Sequence, residues 1–135
     1  MSVSRSPVVT ITVPADNHYF RSVRLAVGGL ATMAGFDVEV IDDLRIGVDE
    51  ICTTLTEVSN GQDLVLEIRV ETGQGIRIDA HVPTAVLAID EDRVVFSRQI
   101  LSVVSDDYAI TLDDGQARAW LERSLVRTRD AASGL

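Results

Sequence analysis

No lysine occurs anywhere in the 135 residues; all 12 basic side chains are arginine. That absence removes a P-loop lysine, a Schiff-base lysine and a Ser-Lys catalytic pair together. Cysteine is nearly absent too, since Cys52 stands alone, which excludes an intrachain disulfide and a cysteine-based metal cluster. The two histidines, His18 and His81, lie far apart in the chain, so neither zinc nor haem is expected. No apolar run approaches the ~18 residues that a membrane helix needs. The opening MSVSRSPVV has no apolar signal segment, and a cytoplasmic protein without membrane attachment is expected. Positive charge is scarce: 12 arginines face 21 acids, for a net charge of −9. Nucleic-acid phosphates want a basic face. Apart from the local arginines Arg118, Arg123, Arg127 and Arg129, this chain offers little of that kind, and protein partners are expected.

Periodicity is well marked. VVTITV (8–13) alternates, is rich in β-branched residues and is closed by Pro14, which predicts a strand. Asp16 or Asn17 can cap a helix whose apolar positions are Tyr19, Val23, Ala26, Val27, Leu30 and Ala34, with Gly35 as its stop. Asp37 caps a second helix with the stripe Ile41, Leu44, Val48, Ile51, Cys52, Leu55 and Val58, and Phe36 is placed to staple against Ile41. LVLEIRVE (64–71) and GIRIDAHV (75–82) flank Thr72-Gly73-Gln74 as a hairpin. Asp90 caps a third helix that runs to about Val104, with Glu91 and Asp92 in its first turn. A second hairpin joins 107–112 to 117–125 through Asp113-Asp114-Gly115-Gln116. The order β-α-α-β-β-α-β-β predicts an α+β two-layer sandwich, a mostly antiparallel sheet with three helices on one face. One domain is expected over 8–125, with a disordered N-terminus (1–7) and a frayed tail (126–135). Cys52 on the core stripe reads as an inert thiol, and Phe96 and Trp120 read as core.

One stretch stands apart. DDLRIGVDEICTT (42–54) places Asp43, Gly47, Glu50 and Thr54 on one strip of the second helix, beside its apolar stripe, at roughly 100° per residue. Such a strip can border a cleft. The run resembles the N-box helix of the anti-sigma-factor serine kinases, small bacterial members of the GHKL (histidine-kinase-like) ATPase superfamily. HYFRSVRLAVGGLATMAGF upstream resembles the first helix of that family, and the element order matches its fold across nearly the whole chain.

The resemblance implies ATP and Mg²⁺ as cofactors, Glu50 as general base near the γ-phosphate, and Thr54 at the position where an asparagine holds the metal. Threonine offers a shorter, weaker hydroxyl ligand on a β-branched stem, while Mg²⁺ demands near-ideal octahedral geometry. Asp79 matches the aspartate that takes the adenine amino group, although it also alternates with Ile76, Ile78, Ala80 and Val82 as a plain outward-facing residue would. His81 and Pro83 replace the two glycines that follow that aspartate, and His81 itself reads as surface or loop edge. Arg93–Ser97, roughly at the later glycine-rich box, has no glycine, and Pro83 to Asp90 leaves little room for a nucleotide lid. Gly47, Thr54, Asp79 and His81 are thus the expected remains of an ATP site. Arg24 matches the first-helix arginine that contacts the sigma factor and the STAS-type anti-anti-sigma protein, with Arg21 beside it; a homodimer is also implied. The function expected is anti-sigma-type regulation of transcription through protein binding, with ATP binding weak or lost. The alternatives are an active serine/threonine kinase that phosphorylates the STAS partner, and a sensor that holds a smaller ligand in a remodelled pocket.

Overall fold

The computed structural model describes residues 7–126; the expectations for the N-terminus and the C-terminal tail fall essentially outside that range. Strand β1 (Val8–Val13) leads into a 3-10 turn over Asn17–Tyr19, capped by Asp16, whose carboxylate accepts from the His18 N–H at 2.9 Å. This hydrogen bond lowers the Asp16 pKa from its ordinary value. Helix α1 (Phe20–Ala34) ends where the backbone of Gly35 turns left-handed at φ 107°. The Gly35 and Phe36 N–H groups then reach back to the Thr32 and Ala31 carbonyls, and Phe36 is buried beneath the turn. That hydrogen-bond pair with its apolar follower is a Schellman stop, which aims the chain straight into the next helix. Helix α2 (Val38–Val58) is capped by the Asp37 carboxylate, which accepts from the Val40 N–H at 3.0 Å.

Strands β2 (Leu64–Glu71) and β3 (Gly75–Pro83) form the first hairpin, and its tip is tied to the end of α1 by the Gly73 N–H on the Ala34 carbonyl. Helix α3 (Glu91–Val104) follows, capped by Asp90. Strands β4 (Asp107–Asp113) and β5 (Gln116–Ser124) form the second hairpin around Asp114 and Gly115, both at positive φ, the two-residue geometry that matches strand twist. All neighbouring strands are antiparallel, in the order β1-β2-β3-β5-β4. The fold is the α+β arrangement expected.

One row of each strand faces the helices: Leu64, Leu66 and Ile68 on β2, Ile78, Ala80 and Val82 on β3, and Ala117, Ala119 and Leu121 on β5 are fully buried. The helices close this core with Val23, Val27 and Ala31 from α1, Leu44, Val48, Ile51, Cys52 and Leu55 from α2, and Leu101 from α3. Cys52 is the core thiol anticipated, and burial, with Asp49 nearby, pushes its pKa up to about 12. Two aromatic expectations are overturned. Phe96 is 52% exposed, and Trp120 is half-buried on the outer face of the sheet under the Arg77 guanidinium, 4.2 Å from its ring centre. Strand alternation decides the second case: with Ala119 and Leu121 inward, Trp120 must point out. Tyr19, expected in the α1 stripe, lies in the 3-10 turn and is 44% exposed.

Candidate functional site

Helix α2 lies between α1 and α3, and its two flanks meet different neighbours. The flank carrying Asp43, Gly47, Glu50 and Thr54 faces α3 and the end of β5, so the strip expected to border a cleft is instead a packing seam. At Gly47 an added Cβ would come within 2.8 Å of Leu121 Cδ2 and 3.1 Å of Val104 Cγ2. The glycine is what lets α2 approach this closely, and its place is against the core. Asp43 reaches toward Arg123 at 3.7 Å.

The polar half of the seam is a compact network. Glu50 is only 9% exposed, and its Oε2 accepts from Ser97 Oγ at 2.6 Å, from Thr54 Oγ1 at 3.2 Å and from Arg93 Nη1 at 3.2 Å. The Thr54 and Ser97 hydroxyls lie 2.9 Å apart, so the single Thr54 proton can turn to Ser97 Oγ in place of its longer bond to Glu50. Arg93 continues outward to Glu57, through Nε on Oε1 at 3.0 Å and through Nη2 on Oε2. Its pKa is raised, first by the Glu57 hydrogen bond. A buried carboxylate is tolerated when donors surround it, and here α3 supplies Arg93 and Ser97, spaced i, i+4, as one set. The sequence pattern assigned neither Arg93 nor Ser97 to a site. The available signal was the matching of Arg93 and Ser97 on one helix with Glu50 and Glu57, i and i+7, on another.

Asp79 and His81 are not part of this network. Ile78, Ala80 and Val82 face the helices, so the two-residue period sends Asp79 and His81 to the opposite face of the sheet. There Asp79 accepts from Arg77 Nε at 2.8 Å, and Arg77 also reaches Glu122 at 2.5 Å. The Asp79 hydrogen bond is the main cause of the raised Arg77 pKa. The sheet thus separates Asp79 and His81 from Glu50 and Thr54. Among the described residues no group of three or more His, Cys, Asp or Glu side chains is placed to hold a metal.

On the other flank of α2, Arg24 of α1 donates to Asp49 at 2.5 Å while staying about one third exposed, and Arg21 is exposed. Arg24 borders a groove of about 620 Å³ that it shares with Phe20, Asp49, Thr53, Thr56 and Glu57; Arg21 does not line it. Thr56 Oγ1 is buried at this groove with no hydrogen-bond partner among the described residues.

No protein-family model matches the chain. Anti-sigma-F factor RsbW of Mycobacterium tuberculosis is 33% identical over 112 residues, which span 80% of this chain and 63% of the relative. Serine-protein kinase RsbW of Halalkalibacterium halodurans is 35% identical over 57 residues, 42% of this chain and 35% of that one. The crystal structure of the RsbU and RsbW domains of a Mycobacterium tuberculosis protein superposes with a TM-score of 0.69 at 17% identity, covering 88% of this chain and 33% of that chain. Over most of its length the chain is similar to the RsbW anti-sigma factors and serine kinases, and it shares the fold of the RsbW domain. It spans 35% to 63% of the length of the two relatives named.

The side chains present decide whether ATP and Mg²⁺ fit. The Glu50 oxygen nearest α3 is held by three donors, one of them a guanidinium, and a divalent cation beside Glu50 would meet that fixed positive charge. The Thr54 hydroxyl is committed to Glu50 and Ser97. With Asp79 on the far side of the sheet, the residues do not converge on a nucleotide, and no step through one is derived.

Proposed function

We propose that this chain is a cytoplasmic, anti-sigma-type regulator that works as one domain, residues 8–125, by binding proteins rather than by transferring phosphate. The observation that carries this reading is the seam between α2 and α3: the strip that would face a nucleotide is filled by Arg93 and Ser97. The relatives' names, anti-sigma-F factor and serine-protein kinase, support the class of partner. Among the described residues no helix is long and apolar enough to cross a membrane.

The partner surface proposed is the groove between α1 and α2. Arg24 has a guanidinium partly in solvent and an anionic partner, Asp49, that a carboxylate from outside can compete with or extend into a bidentate network. A sigma factor and a STAS-domain antagonist would contend for this surface, so that release follows from differential affinity. Arg24→Gln, which avoids setting a new acid beside Asp49, is expected to weaken capture of a sigma factor or STAS protein at least about tenfold, as loss of a central arginine does at an interface. Pull-down with quantitative mass spectrometry measures this, with Arg21→Gln in parallel; capture unaffected by either change would move the interface elsewhere.

Calorimetry tests the other half of the proposal. Mg-ATP is expected to give no saturable heat at millimolar concentration. Micromolar binding, together with phosphate transfer to a STAS protein that Glu50→Gln abolishes, would establish the kinase reading in its place.

A further inference from the structure

Helix α3 carries apolar residues on both sides. Leu101 and Val104 are buried against the core, yet Val95 is 51%, Phe96 52% and Val103 67% exposed. At about 100° per residue, Val95, Gln99, Val103 and Phe96 fall within one arc of about 100°, opposite the buried Ser97, Leu101 and Val104. Just before the helix, Leu87 is 97% exposed. A surface helix ordinarily turns polar residues outward, and one that is apolar all round is covered on both sides. Nothing among the described residues covers the outer side of α3.

Charge selects the occupant. The stripe is flanked at the helix start by exposed Asp90, Glu91 and Asp92, and past its end by exposed Asp106 and Asp107. Of the two arginines on α3, Arg93 is held by Glu50 and Glu57, and the exposed Arg98 beside the stripe is outnumbered by these five acids. A second copy of this chain would bring the same acidic ends against each other in a two-fold contact, where like charges repel. The segment RTRDAASGL (127–135) has Leu135 as its only large apolar side chain, too little to fill the stripe.

We propose that the outer face of α3 is a second docking surface, distinct from the α1–α2 groove, for an amphipathic helix whose apolar stripe is flanked by lysine or arginine. Val95 and Val103, at i and i+8 with the Gln99 stem between them and Phe96 alongside, form the ridge that a partner helix packs against, and the acidic ends would pair with its flanking cations. Since α2 lies between α1 and α3, both surfaces can be engaged at once. This places a basic helical partner on the chain independently of whatever binds Arg24.

The probe is a leucine/lysine amphipathic peptide of about 15 residues, enough turns to span α3, titrated into ¹⁵N-labelled protein. Its leucine/glutamate counterpart and the double variant Val95→Asp/Val103→Asp complete the set. The stripe is solvent-facing, so the variant is expected to keep a dispersed amide spectrum, and Phe96→Ser serves as a second variant if it does not. Shift changes confined to residues 87–107, at least about tenfold weaker in the variant and absent with the glutamate peptide, support the proposal. The variant is itself more acidic, so purely electrostatic attraction would strengthen binding there; unchanged or tighter binding overturns the proposal, as do shifts centred on α1. A wild-type dimer that the variant converts to monomer also overturns it, in favour of a second copy.

Discussion

Arg93→Ala is expected to lower stability by about 3 kcal/mol, at the lower end of what removing one member of a buried charge pair costs. The reason is asymmetric. Glu50, 9% exposed in the native protein, would lose its only cationic donor with Arg93 and keep the Ser97 and Thr54 hydroxyls. Removing the charge from the other side is milder. In Glu50→Gln the amide oxygen still accepts from Ser97, and Arg93 retains Glu57, so a loss nearer ~1 kcal/mol is expected. The double variant should lose less than the sum of the two, with a coupling of roughly 1–2 kcal/mol. Urea denaturation of the four proteins measures all three quantities. A loss below about 0.5 kcal/mol for Arg93→Ala, the size of an ordinary surface change, would mean that the seam is wet and open, and the argument against a nucleotide there would fail with it.

Gly47→Leu should be comparably damaging, at about 3 kcal/mol, the upper end of overpacking costs. A leucine at this position has to displace Leu121 and Val104, whose methyls already stand 2.8 and 3.1 Å from where its Cβ would be. Gly47→Ala is the control that isolates side-chain bulk as the cause. Its single methyl meets side-chain ends that can shift, and alanine recovers about 1 kcal/mol of helix propensity, so near-neutral stability is expected. A glycine retained for contact with a nucleotide would behave differently: both substitutions would leave the melting temperature nearly unchanged and act on ligand affinity alone. Thermal melts of the two variants decide between these roles.

Most of the fold was legible because its signals are local. The alternation in 64–71 and 75–82, the Asp37 and Asp90 caps, and the Gly35 stop each depend on residues a few positions apart, and each is found where the pattern put it. The strip on α2 was legible as well: Asp43, Gly47, Glu50 and Thr54 do share one flank. What the helical wheel could not show was the contact on that flank. A wheel places side chains around one axis and says nothing of the helix beside it, so an occupied seam and an open cleft look alike. Phe96 went astray for the same reason, since only the docking angle of α3 decides which of its apolar sides is inward. Asp79 shows a different limit. Its match to a family position competed with its place in a strict two-residue alternation, and the alternation won because Ile78 and Ala80 cannot be exposed cheaply.

By itself, then, the order of residues determined the elements, their caps and turns, the core stripes and the similarity to anti-sigma-factor kinases, all of which depend on short-range pattern or on matching runs of residues. Only the tertiary structure decided that Arg93 and Ser97, more than forty positions from Glu50, close over it, that the sheet stands between Asp79 and Thr54, and that α3 keeps an apolar side outward. Each of those outcomes depends on how layers stack in three dimensions. Packing of one element on another is set by the summed fit of many side chains distant in sequence, and no local window contains it.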